Sequence, residues 1–176
     1  MVIESILFEY RRYKSLVERA IAQVEDADLY RVLGEDGNSI AILIQHLSGN
    51  LKSRFTHFLT EDGEKPWRHR DREFEETQQD RAEFLQQWNA AWEIVLGEVG
   101  ALTDADLSKT VHIRGVDLTV SDALHRSLAH AAYHVGQIVL LARVFVGPAW
   151  ESLSIPRGKS EEYNQNPVYE KHAGSL

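Results

Sequence analysis

Apolar residues recur at three- and four-residue steps in four segments of the chain, and each segment predicts an amphipathic helix with one buried stripe. In the first, the stripe is Ile3, Ile6, Leu7, Tyr10, Tyr13, Val17, Ala20, Ile21 and Val24, ended by the loop Gly34-Glu35-Asp36-Gly37-Asn38. Asn38 or Ser39 can cap a second helix, with Leu43, Leu47, Leu51, Phe55 and Phe58 along one side. Residues 60–76 are polar and irregular, a long connection of the kind that is either functional or disordered. Thr77 with Asp80 resembles a capping box for a third helix, whose stripe is Phe84, Leu85, Trp88, Ala91, Trp92, Val95, Leu96, Val99 and Leu102. Lys109–Ile113 and Val116–Thr119 flank Arg114-Gly115 and predict a short hairpin. Thr119 or Ser121 then caps a fourth helix that runs to about Val146, where Gly147-Pro148 stops it. The expected architecture is all-α: a single domain over residues 1–176, built as a four-helix bundle. It has a long connection between the second and third helices, a short hairpin before the fourth, and residues 150–176 as a C-terminal loop.

Composition narrows the function. The 176 residues are 43% apolar and 26% charged, ordinary for a globular chain with a substantial core. A net charge of -8, with no dense Lys/Arg stripe, argues against nucleic-acid binding. No cysteine is present, which removes disulfides, thiolate nucleophiles and Cys-ligated zinc and suits a reducing compartment. The start, Met1-Val2-Ile3-Glu4-Ser5, has an acid where a signal peptide carries basic residues, and the longest unbroken apolar run, Ile138–Ala142, is five residues. A cytoplasmic protein with no membrane partner is expected.

Three of the eight histidines stand out by position. His130 and His134 are one helical turn apart, so both rings leave the same face and can hold one ion. They lie on the shoulder of the stripe formed by Leu124, Ala131, Val135, Ile138 and Ala142, with Gln137 on the same edge, able to orient a ligand or a water; His125 points to the far side. His46 sits on the inward side of the second helix, one turn before Asn50. It lies about 10 Å into its helix, and His130 and His134 about 13 and 20 Å into theirs. Parallel second and fourth helices, as in an up-down bundle, would bring the three rings to similar depth. Three neutral imidazoles with open positions make a catalytic or labile site, whereas the bland alternative is a set of hydrogen-bonded core histidines. A zincin needs Glu after the first His, and position 131 is alanine. A ferritin-like site needs inward Glu-x-x-His pairs, which the chain lacks.

His46, together with His130-x-x-x-His134 and Gly136-Gln137-Ile138, resembles the DinB-like superfamily of bacterial four-helix metalloproteins over essentially the whole chain. His46-Leu47-Ser48-Gly49-Asn50, Asp62–Arg68 and Ile155–Asn164 resemble an uncharacterised branch of it. The resemblance implies a three-histidine site for nickel or zinc, often within a homodimer. It also implies kinship with thiol S-transferases, which join low-molecular-weight thiols to electrophiles, and with a maleylpyruvate isomerase.

On this reading an ion held by three histidines lowers the pKa of a substrate thiol or water. With no cysteine in the chain, the thiol comes from a small-molecule co-substrate. Asn50, Arg68, Arg70, Gln137 and Lys159 are the candidate substrate-binding residues, the cations meeting carboxylates; the plain alternative for the Arg68–Arg72 cluster is a solvated loop laced with ion pairs. Trp67 and Tyr163 can wall a pocket or pin loops to the core. No catalytic residue is assigned: Asp71 and Glu73 are the candidates for general base, and a non-catalytic metal- or small-molecule-binding stress protein is the alternative.

Overall fold

The computed structural model of the chain describes residues 1–76 and 79–168. Among them are six helices, four of them long, and one two-stranded antiparallel sheet. The helices are α1 (Val2–Ile21), α2 (Asp26–Leu29), α3 (Ile40–Phe55), α4 (Arg81–Gly100), α5 (Val120–Val146) and α6 (Ser160–Asn164), and the strands are β1 (Thr110–Ile113) and β2 (Val116–Thr119). The four periodic segments are thus α1, α3, α4 and α5. The first ends earlier than its stripe implies, leaving α2 as a separate turn, and the segment expected as a C-terminal loop contains α6.

Side chains cap the long helices where polar residues precede the apolar stripe. Ser39 Oγ accepts from the Ile42 N–H at 3.2 Å, and Thr119 Oγ1 from the Asp122 N–H at 3.0 Å. Before α4 the reciprocal box joins Asp80 and Glu83, each side chain accepting from the other's backbone N–H at 2.9 and 3.0 Å. Thr77, expected as that cap, lies outside the described residues.

Tyr10 joins all four long helices. Its ring meets Phe55 of α3 and Trp92 of α4 edge-on, both at 5.9 Å, and its hydroxyl donates to the Leu124 carbonyl of α5 at 3.3 Å. Each such ring pair adds roughly 0.5–1.5 kcal/mol to area burial.

These contacts also fix helix direction. Phe55 ends α3 and Leu124 lies near the start of α5, yet both reach Tyr10, so α3 and α5 run antiparallel. This corrects the parallel arrangement expected from an up-down order. The His57 N–H, just past α3, donates at 3.2 Å to Glu98 near the end of α4, so those two helices run the same way. Arg81 at the start of α4 donates to the Ile21 carbonyl at 2.7 Å, setting α4 against α1. The cause is the connection after α3, which over residues 56–76 does not turn straight back. It runs along α3, where Gln45 Nε2 donates to the Arg72 and Glu73 carbonyls at 3.1 Å each, and delivers the chain to the beginning of α3.

The predicted hairpin forms. Arg114 (φ 58°) and Gly115 (φ 72°) make its two-residue turn, and Asp62 accepts from both of their N–H groups at 2.8 and 2.7 Å. The Gly63 N–H donates to the His112 carbonyl at 2.8 Å, tying the hairpin to the α3–α4 connection. By length and composition, Val120–Ala149 is the one described helix apolar enough to cross a membrane, with 33% of its most apolar stretch buried. Average apolarity, not the longest unbroken run, brings it to that length. Within the fold, its Leu124, Ala131, Val135, Ile138 and Ala142 are all buried.

Candidate metal centre

Antiparallel helices bring the three histidines level. His46 stands nine residues before Phe55, and His134 ten residues after Leu124, so both lie about 14 Å from the Tyr10 junction. Nitrogen atoms of His46, His130 and His134 all fall within 4.8 Å of one another. His46 Nε2 and His130 Nε2 are 3.2 Å apart. Two nitrogens bound tetrahedrally at about 2.0–2.1 Å from one ion stand about 3.3 Å apart, so the spacing and the donor type fit a divalent metal.

The outer nitrogens face acceptors. His46 Nδ1 lies 2.9 Å from Glu73 Oε2, and His134 Nδ1 lies 3.0 Å from Gln137 Oε1. An acceptor there places the ring proton on Nδ1 and leaves Nε2 with its lone pair for a metal. Arg68 in turn donates through Nε and one terminal nitrogen to the two Glu73 oxygens, at 2.8 and 2.9 Å. His46, Glu73 and Arg68 are all buried, so this is a charge-assisted, two-pronged support. The Phe74 ring stacks at 4.5 Å on His46, and Tyr133 meets His134 at 4.9 Å.

Electrostatics favour neutral rings. Burial, helped by His134, His46 and the nearby guanidiniums of Arg68 and Arg54, pushes the His130 pKa down to about 4. Burial also lowers His134, only partly opposed by Gln137. For Glu73, burial favours the protonated form, but hydrogen bonds from Arg68 and His46 outweigh it and hold the carboxyl below its ordinary range.

The histidines open onto a cavity of about 430 Å³. Asn50, Arg68 and Arg70 line it. Gln137 acts instead through His134. Lys159 is not at the cavity: at the start of α6 it pairs locally with Glu162 at 2.8 Å. Trp67 borders a different cavity, under Lys52 at 5.3 Å, and the Tyr163 hydroxyl accepts from the Val168 N–H at 3.1 Å. His125 turns away, to the Ser121 carbonyl at 2.8 Å. Neither general-base candidate is placed for that role: the Asp71 side chain is 99% exposed, and Glu73 sits on the far side of His46 from Nε2.

Three arginines of the cavity were not among the sequence candidates: Arg54, Arg114 and Arg126. Two were within reach of the helical repeat. Arg54 lies eight residues after His46, and Arg126 four before His130, each on its histidine's own face. Arg114 gives no such indication, because a turn residue's direction follows from the hairpin's docking on Asp62.

No curated protein matches the chain. Residues 2–159 match the family described as "Protein of unknown function (DUF1572)". With nine-tenths of its length inside that match, the chain belongs to the DUF1572 family, whose function is unknown.

Proposed function

We propose that this protein holds one divalent ion, nickel or zinc, on His46, His130 and His134. In this reading it is a metal-dependent enzyme of the thiol S-transferase type within the DinB-like superfamily. The observation that carries the metal reading is the set of three histidines within 4.8 Å, two of whose outer nitrogens already rest on acceptors. An i, i+4 pair arises easily by chance. A third ring from another helix, backed by a buried Glu73–Arg68 pair, does not.

The mutual packing of α1, α3, α4 and α5 around Tyr10 supports a bundle of the DinB-like type. When bound, the ion supplies Lewis acidity that lowers the pKa of a coordinated thiol or water. The chain's own part is to hold Nε2 of His46 and His134 deprotonated, to wall the cavity with Phe55, Phe58 and Phe74, and to meet the substrate with Asn50, Arg68 and Arg70. Because the chain has no cysteine, the thiol belongs to a low-molecular-weight co-substrate. We also propose a cytoplasmic homodimer acting on a small molecule, without nucleic-acid or membrane partners.

One observation favours the second reading, a metal- or small-molecule-binding protein without turnover: among the described residues neither Asp nor Glu lines the cavity to serve as base. Metal analysis of untagged protein tests the site, with about one ion per chain expected. Incubating the loaded protein with a panel of thiols and electrophiles, and following thiol loss, separates the two readings. Wild type faster than His130→Ala on at least one pair supports the enzyme; equal rates on every pair leave the binder.

A further inference from the structure

We infer that the cavity beside the histidines binds a small dianion, carrying carboxylate or phosphate groups, and that Arg126 and Arg70 are the residues that select it. The inference deepens the proposed function, since it takes this cavity as the substrate's place.

Five guanidiniums line the cavity, those of Arg54, Arg68, Arg70, Arg114 and Arg126, and among the described residues none of its lining is acidic. The chain as a whole carries a net charge of -8, so this concentration of positive charge runs against its composition. Like charges gathered around one space repel, and burial on one side sharpens the cost, so an arrangement of this kind is stable chiefly when anions complete it.

The five are not equivalent. Glu64 Oε2 is shared by Arg54 at 2.9 Å, Arg114 at 3.1 Å and Arg68 at 3.6 Å, while Glu73 takes the fork of Arg68. Among the described residues Arg70 pairs only with the fully exposed Asp71, at 3.5 Å, and it lies over the Phe74 ring at 4.9 Å. Arg126 is exposed and has no hydrogen-bond or ion-pair partner among the described residues. Asp62 adds a further acid beside Arg54 and Arg114, so the charges left for a ligand are those of Arg126, which is unpaired, and Arg70, which meets only an acid out in solvent. A ligand with two anionic charges balances them.

Geometry places that ligand against the histidines. Arg126, His130 and His134 follow one another at four-residue steps on α5, so an anion on the Arg126 fork lies about 6 Å, one turn, from His130. His46, Asn50 and Arg54 make the same ladder on α3. Phe55, Phe58, Phe74 and Ile113 complete the wall with apolar surface, which suits a short carbon skeleton between the anionic ends.

The test is calorimetric titration of the purified, metal-loaded protein with succinate, with inorganic phosphate and with succinamide, the neutral counterpart of succinate. Succinate or phosphate binds one to one, more weakly as salt rises, and succinamide does not; the tighter of the two anions tells which group the site is built for. Arg126→Gln and Arg70→Gln each weaken the anion at least tenfold, with metal content and melting temperature unchanged, since both side chains are exposed. Binding of succinamide as tight as succinate, no binding of either anion at millimolar concentration, or anion affinity unchanged in both variants overturns the inference. Should the protein prove to hold no metal and still bind succinate in an Arg126-dependent way, the metal reading fails and the dianion site stands.

Discussion

Gly49 leaves the notch on α3 that the Glu73 carboxylate occupies. A β-carbon at position 49 would overlap Glu73 Oε1 and stand 2.8 Å from its Cδ, so the acid reaches His46 only because this turn of helix lacks a side chain. Gly49→Ala thus sets a better helix former against a clash with a carboxylate that Arg68 and His46 hold in place. We expect a net loss of about 1–3 kcal/mol in urea unfolding, of the size seen for overpacked cores. Metal affinity falls with it, since Glu73 must leave His46. A Gly49→Ala protein with wild-type metal affinity would show that Glu73 does not orient the ring.

Removing Glu73 separates its two duties. Glu73→Ala takes from the buried Arg68 guanidinium its two-pronged partner, leaving it Glu64 at 3.6 Å, and should cost up to about 3–5 kcal/mol of stability. Glu73→Gln keeps an acceptor for Arg68 and a group of the same shape beside His46, so it should cost less while still weakening metal binding about 10–100-fold. Urea midpoints and competitive chelator titrations on the two variants measure these effects. Equal stability loss in both, with no change in metal affinity, would assign Glu73 to packing alone.

Periodicity made the core legible because burial repeats with the helix: Leu43, Leu47, Leu51 and Phe55 all lie inside, as do Phe84, Trp88 and Trp92. The same regularity put His130 and His134 on one edge. Helix direction was hidden, because a stripe reads the same along either sense of the axis. What reverses the expected order is the course of residues 56–76 along α3, fixed by contacts such as Gln45 to the Arg72 carbonyl that have no periodic trace. Glu73 was visible only as an acid in a polar loop, since its burial depends on Gly49, 24 positions away. Lys159 was misjudged for the converse reason. A cation in a tail invites a distant partner, but Glu162 offers one within a single turn.

Stability of the metal-free chain should depend on pH through His130 and His134. Their folded-state pKa values are depressed, His130 from 6.5 to about 4, so the unfolded chain binds protons more readily than the folded one. The stability this contributes is present above about pH 6.5 and is lost as pH falls toward 4. Urea midpoints of metal-stripped protein should decline from pH 7 to pH 5, and His130→Gln should flatten that decline. A midpoint constant over this range, or a slope equally steep in the variant, argues against buried neutral rings.

Arg114 presents the sharpest opposition between stability and binding. It occupies a left-handed backbone conformation, φ 58°, in a turn where asparagine before Gly115 fits better. What the arginine adds is its side chain, which lines the cavity and reaches Glu64 at 3.1 Å. That pair is partly exposed and stabilises the fold by less than about 1 kcal/mol, comparable to the strain asparagine would relieve. Arg114→Asn should therefore melt at or slightly above the wild-type temperature while binding succinate more weakly. A lower melting temperature with unchanged anion affinity would instead tie this arginine to the hairpin. A raised melting temperature with weakened binding would mean that the chain keeps a strained turn for the sake of the cavity it faces.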